Sequence, residues 1–288
     1  MKLALGTVQF GLPYGISNKT GQVPEATVKS MLDLAGANGI NVLDTAIAYG
    51  ESESVLGRSG VQDFQIVTKL PPVPEGCADI RNWVQEQVDT SRHRLGVNML
   101  YGLLLHRPDQ LLGSFGRELY RSLKDLKDGG KTKKIGISVY SPKELDLFIP
   151  RFQFDLIQAP FNLIDRQLQT TGCLKRLKDQ MVEIHTRSAF LQGLLLMSPA
   201  DFPKKFLRWS KLWDKWHDWL LHHNVSPVQA CISFPLSFPE IDHVVVGADN
   251  PKQLEEIIII AKRNCLIDFP DIHSEEEELV NPACWDRL

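Results

Sequence analysis

The stretch Met99-Leu100-Tyr101-Gly102-Leu103-Leu104-Leu105 is a short, nearly continuous apolar run, the length of a buried strand. Arg117–Leu126 follows at helical spacing and closes on Lys127-Asp128-Gly129-Gly130, a helix stop and turn. Ile135–Val139 is apolar again. Strand, amphipathic helix and strand in that order place two parallel strands side by side, because a parallel pair needs a long crossover.

The same alternation runs outward in both directions. Before it, Leu3–Leu5, Asn41–Asp44 and Ile66–Leu70 read as strands, and Glu25–Ala37, Ser52–Gly57 and Ile80–Leu95 as helices. After it, Leu156–Ala159, Val182–Thr186 and Val244–Val246 read as strands. Pro142–Phe148, Cys173–Gln180, Phe206–Asn224, Val228–Phe234 and Pro251–Lys262 read as helical. Strands each followed by a helical region, over about 250 residues, predict an α/β fold of the closed (β/α)8 TIM-barrel type. A doubly wound sheet would carry G-x-G-x-x-G after its first strand. Gly6-Thr7-Val8-Gln9-Phe10-Gly11 lacks that spacing. No Pro/Ser-rich linker interrupts the pattern, so residues 1–288 are expected to form a single barrel domain, with 265–288 a C-terminal tail over or beside it. In that tail Ser274 is expected to cap a short helix, with Glu277 at the capping-box position.

Composition is ordinary for a globular protein. The 288 residues are 43% hydrophobic and 23% charged. Lys+Arg is 32 and Asp+Glu is 35, a net charge of −3 that gives no overall attraction to nucleic acid or anionic membrane. The cysteines Cys77, Cys173, Cys231, Cys265 and Cys284 are odd in number and show no CxxC spacing, which fits free thiols in a reducing compartment. No apolar run reaches membrane-span length, and the opening Met1–Gln9 is too short for a signal segment. A cytoplasmic protein with a small-molecule partner is expected, and no oligomeric state is implied.

Barrels of this kind build their sites at the C-terminal strand ends. Asp44 ends the second strand and Lys69 lies at the end of the third. His106 follows the fourth, Ser138 ends the fifth and Gln158 is near the end of the sixth. Tyr49 lies in the loop after Asp44. Singly, each has an ordinary explanation: a cap, a surface charge, a core histidine, a packing tyrosine with a wet tip. Together they form a chemical set. An ammonium beside a phenol favours the phenolate, a carboxylate keeps the ammonium charged and aimed, and an imidazole donates to a substrate oxygen. Such a set can hold a carbonyl oxygen and protonate the alkoxide formed on it.

Asp44-Thr45-Ala46-Ile47-Ala48-Tyr49-Gly50-Glu51-Ser52-Glu53, continuing to Val55-Leu56-Gly57, resembles the signature of the aldo-keto reductases. Thr68-Lys69-Leu70, Leu103-Leu104-Leu105-His106-Arg107-Pro108, Lys133–Ser138, Asp155–Leu163 and Val246–Glu256 resemble successive segments of the same family, in its order. The resemblance implies an NAD(P)(H)-dependent oxidoreductase that reduces an aldehyde or ketone, or runs the reverse. Tyr49 would be the general acid/base, Lys69 would tune it, Asp44 would hold Lys69, and His106 would orient the carbonyl. Gly6, Thr7, Asp44, Ser138, Gln158, Arg187, Gly247, Gln253 and Glu256 match cofactor positions, with Arg187 where many relatives stack an aromatic on the nicotinamide. Substrate-pocket candidates are Tyr14, Ala48, Arg107, Phe161 and Trp285. No metal is implied. NADP(H) is the cofactor the resemblance favours, with NAD(H) the other candidate.

The chain departs from the family pattern in places. Val139 stands where many relatives have Asn. Gly247, Gln253 and Ile257 stand where some relatives have Lys, Arg and Asn, and Lys252 is adjacent. A dianionic phosphate wants charged donors. An N-terminal hairpin plug is expected to be reduced or absent. Two rival functions share the pattern: a nicotinamide-binding regulatory subunit with little turnover, and an unrelated barrel using Lys69 as a Schiff-base nucleophile. Trp209, Trp213, Trp216 and Trp219 recur at helical spacing, as expected of a helix packed on the barrel.

Overall fold

Short apolar runs bury on both faces, so they pair into parallel strands only where helices cover the outside. Here eight of them pair in chain order and close into a barrel. They are β1 (Leu3–Gly6), β2 (Val42–Asp44), β3 (Gln65–Leu70), β4 (Leu100–Leu105), β5 (Thr132–Ser138), β6 (Leu156–Pro160), β7 (Glu183–Arg187) and β8 (His243–Val246). The structure, a computed structural model, describes residues 1–263 and 267–288. Cys265 therefore lies outside the described residues.

The helices Glu25–Ala37, Ile80–Leu95 and Pro142–Phe148 have the bounds their periodicity predicts. The stretch 206–224 does not form one helix: a 3₁₀ segment Lys204–Trp209 precedes the α-helix Ser210–His223. Trp213 and Trp216 are buried on its barrel-facing side. In the tail the helix is Glu277–Val280 and Glu276, not Ser274, precedes it. The Ser274 backbone is held by Ile164 O at 2.9 Å. Its hydroxyl accepts from Glu276 N, a turn ahead of the helix start. No helix among the described residues is long and apolar enough to cross a membrane.

Strand side chains alternate faces, and the inward set fixes where the site lies. Ala4, Val42, Val67, Leu104 and Leu156 form a small buried cluster of their own, with Val245 packed against it. Two residues further along the same strands stand Gly6, Asp44, Lys69, His106, Gln158 and Gly247. The apolar cluster is thus a floor, and the polar residues are the next layer toward the C-terminal mouth.

Glu53 locks the region just after Tyr49 in place. It is 2% exposed. It accepts from Thr68 Oγ1 (2.7 Å), Ser91 Oγ (2.7 Å) and Arg94 Nε (2.9 Å). Those bonds tie the helix Ser52–Ser59 to β3, beside Lys69, and to the helix Ile80–Leu95. Removing Glu53 leaves the buried Thr68 and Ser91 hydroxyls without their acceptor. Glu53→Ala should cost on the order of 3 kcal/mol in urea unfolding at neutral pH; a loss within measurement error would show that the network carries no stability.

Candidate active site

The C-terminal mouth holds a cavity of about 570 Å³. Asp44, Tyr49, Lys69 and His106 all line it. So do Gly6, Thr7, Ser138, Gln158, Arg187, Gly247, Gln253 and Glu256. Residues far apart in the chain meet there because most stand at the inner C-terminal end of their own strand or in the loop beyond, and Gln253 and Glu256 lie at the start of the helix Pro251–Arg263.

Lys69 is 1% exposed and its Nζ lies 2.6 Å from Asp44 Oδ1. The same ammonium donates to Thr45 O at 2.9 Å and lies 5.1 Å from the centre of the Tyr49 ring. Burial would lower the Lys69 pKa, but the Asp44 carboxylate and Tyr49 outweigh it and raise the value above the usual range. The second Asp44 oxygen accepts from Gln158 Nε2 at 2.6 Å. Thr7 Oγ1 donates to Asp44 O at 3.0 Å and meets the buried Ser52 hydroxyl.

The Tyr49 loop is positioned by a backbone contact that only glycine allows. A Cβ on Gly11 would lie 1.9 Å from Tyr49 O and 2.5 Å from Ser52 N. Gly50, at φ +54, faces Gly11 O from the other side. With the loop pressed down in this way, the Tyr49 and His106 rings stand edge to face, 5.9 Å apart.

Burial, then the Lys69 and Arg187 charges, push the His106 pKa down to about 4. The imidazole is therefore neutral at pH 7, with one N–H to donate. The value lies below the ordinary 6.5, so the unfolded chain binds the proton first as pH falls. This group should reduce stability progressively from about pH 6.5 to about pH 4 and leave it untouched above. Thermal melts of wild type and His106→Gln across that range should converge toward the acid end; parallel curves would count against the assignment.

Arg187 donates to Val139 O at 3.0 Å and its guanidinium lies 4.6 Å from the Tyr140 ring centre. Gln158 Oε1 is buried with no hydrogen-bond partner. An orphaned acceptor on the cavity wall, beside Ser138, fits the amide donor of a carboxamide ring.

Of the substrate-pocket candidates, only Tyr14 lines the cavity. Ala48 and Arg107 are exposed outside it, and Arg107 reaches Asp109 at 3.3 Å. Phe161 is fully buried between Phe234 and Phe238, its ring centre 5.0 Å and 4.9 Å from theirs. It lies just past the end of β6, and its ring turns into that aromatic cluster instead of the cavity. Trp285 is buried against Phe206, with ring centres 4.8 Å apart. The tail reaches the cavity through Pro282 and Ala283 instead.

Sequence reasoning missed Ser17, Tyr140, Phe190, Gln192, Gly193 and Leu196, which also line the cavity. Ser188, Leu191 and Gln192 adopt positive φ. Gln192 O accepts from Ile16 N at 3.1 Å, closing the loop after β7 onto the loop after β1. A long stretch without strand or helix periodicity after β7 was the available signal, since such loops in compact domains are commonly functional.

The Aldo/keto reductase family model matches residues 2–268. The chain belongs to the aldo/keto reductase family. Aldo-keto reductase YhdN of Bacillus subtilis (strain 168) is 27% identical over 204 residues, 67% of this chain and 57% of that protein. The alignment thus spans little more than half of that relative's length. D-threo-aldose 1-dehydrogenase of Pseudomonas sp is 27% identical over 296 residues, covering 88% of this chain and 89% of its own. Among solved structures, aldo-keto reductase AKR11C1 from Bacillus halodurans (holo form) superposes with a TM-score of 0.73 at 20% identity, over 92% of this chain and 88% of that one. That likeness is one of fold: the family's barrel, closed in chain order.

Proposed function

We propose that this aldo/keto reductase family member is an oxidoreductase that interconverts an aldehyde or ketone and its alcohol, with Tyr49 as general acid/base and a nicotinamide dinucleotide as cofactor. The observation that carries the reading is the meeting of Tyr49, Lys69, Asp44 and His106 on one cavity wall, with the Lys69–Asp44 pair buried. A bound nicotinamide would supply or accept the hydride. Neutral His106 donates its N–H to the carbonyl oxygen and fixes which face is presented. Tyr49 passes its phenolic proton to that oxygen as negative charge develops there. The Lys69 ammonium, held by Asp44, stabilises the phenolate left behind. Ser138 and Gln158 are the donors and acceptors suited to the carboxamide, with Gln158 already held by Asp44. In the reverse direction Tyr49 takes the alcohol proton. This chemistry uses Lys69 as an electrostatic partner, and its ion pair with Asp44 leaves no neutral amine for a Schiff base.

The resemblance favours NADP(H), but the far end of the cavity weighs the other way. Gly247, Gln253, Glu256 and Ile257 line it, and the cations in the lining are Lys69 and Arg187, both beside Tyr49 or Val139. Among the described lining residues a 2′-phosphate would meet no charged donor there and two carboxylates, Asp249 and Glu256. NAD(H) should bind at least as tightly as NADP(H) in isothermal titration. The function itself is tested by a panel of aldehydes, ketones and alcohols run with each nicotinamide. Turnover with one or more members supports the proposal. Tight cofactor binding without turnover would assign the chain a regulatory role, and no cofactor binding would sink both readings.

A further inference from the structure

Beneath the catalytic layer the barrel holds a second polar cluster, which the mechanism does not use. Glu183 and His185 stand two residues apart on β7, so alternation turns both inward. His243 on β8 is the register partner of His185. The two imidazoles are therefore neighbours on one inner face, with ring centres 4.8 Å apart and nearly perpendicular. One donor atom from each of Glu183, His185 and His243 lies within 4.8 Å of the others.

His185 is fully buried, and its Nε2 lies 2.7 Å from Glu183 Oε1. Its Nδ1 has no partner, and neither does Nδ1 of His243. Two buried ring nitrogens left unsatisfied on facing side chains are costly unless something occupies the space between them. Glu183 is hydrogen-bonded to His185, Lys134 and Tyr101. Its second oxygen carries Lys134 and, at 2.8 Å, the Tyr101 hydroxyl. Those two contacts leave Oε1 on the histidine side.

We propose that Glu183, His185 and His243 form a divalent transition-metal site in the lower barrel, cross-linking β7 to β8. Two imidazoles and one carboxylate are a borderline-soft donor set that suits zinc and its first-row neighbours, not magnesium or calcium. Tetrahedral donors about 2.0–2.1 Å from zinc stand about 3.4 Å apart, so donors up to 4.8 Å apart close in by up to about 1.4 Å on loading. His243 is half-buried at the start of β8, which gives the ion a route in from the barrel's N-terminal end. The site lies one inward layer below Arg187, about 6–7 Å along β7 from the catalytic wall. The β7–β8 ladder has two register pairs where β6–β7 has five, so an ion there would reinforce a thinly paired seam.

The test uses the full chain stripped with chelator. Calorimetric titration with zinc chloride should show one saturable equivalent, and zinc should raise the melting temperature. His243→Asn should weaken that binding by at least about 10- to 100-fold. His223→Asn, on the exposed end of the helix Ser210–His223, should leave it unchanged. Cobalt(II) provides a check on the wild type in case His243→Asn does not fold. Visible bands of tetrahedral cobalt without thiolate charge transfer would support the site. The proposal is overturned by no saturable zinc uptake, by uptake undiminished in folded His243→Asn, or by a cobalt spectrum of thiolate or octahedral type. These readouts do not depend on turnover, so the reductase proposal and the metal site can fail separately.

Discussion

Tyr49→Phe should lower kcat for carbonyl reduction by about 10²- to 10⁴-fold, the usual contribution of a positioned general acid. The substitution removes one oxygen and keeps the ring that stands 5.1 Å from Lys69 Nζ and 5.9 Å from His106. Nothing else in the wall needs to move. Cofactor affinity and melting temperature should therefore stay close to wild type, and the whole loss should fall on the chemical step. Stopped-flow measurement of nicotinamide oxidation, with a fluorescence titration of the cofactor alongside, separates the two. A phenylalanine variant that keeps a tenth of the wild-type kcat would remove Tyr49 from the role.

Lys69→Met should fail differently, in stability as well as rate. Lys69 and Asp44 are both buried, and the pair is satisfied from all sides by Thr45 O and Gln158 Nε2. Without the ammonium, Asp44 keeps a buried charge with no counter-ion, a loss of about 3–5 kcal/mol. The raised Lys69 pKa carries the same sign. Its stabilisation is fully present below the ordinary 10.5 and fades only as pH climbs through the higher folded value. Adding Asp44→Asn to Lys69→Met should restore much of the stability, because no lone charge remains, while activity stays lost. Chemical denaturation of the single and double variants reads the first effect and kcat the second. If Lys69→Met alone unfolds at the wild-type urea concentration, the pair does not have the energetic role its burial implies.

Part of the candidate site was legible in the sequence, and the reason is periodicity. Asp44, Lys69 and Gln158 each follow an inward apolar residue, Val42, Val67 and Leu156, by two positions at a strand's C-terminal end. Strand spacing and the barrel rule together place such residues on one rim. Phe161 and Trp285 escaped that logic. Beyond a strand end no repeat says which way a side chain turns, and both rings went into aromatic contacts with Phe234, Phe238 and Phe206. Gln192 and Gly193 were hidden for a related reason: the loop after β7 takes positive φ values that no hydrophobic pattern announces.

Alternating apolar runs and helical spacings predicted eight strands, each followed by a helical region, with Asp44 and Lys69 at strand ends, and the resemblance to the aldo-keto reductases added Tyr49 and His106 to them. Only the folded chain decided what roofs the cavity and that His185 and His243 face one another in the lower barrel, since both depend on register between distant segments. Side-chain direction within a strand is a local property fixed every two residues. Contact across the barrel is set by how all the strands tilt and pair at once, and that information is distributed over the whole chain.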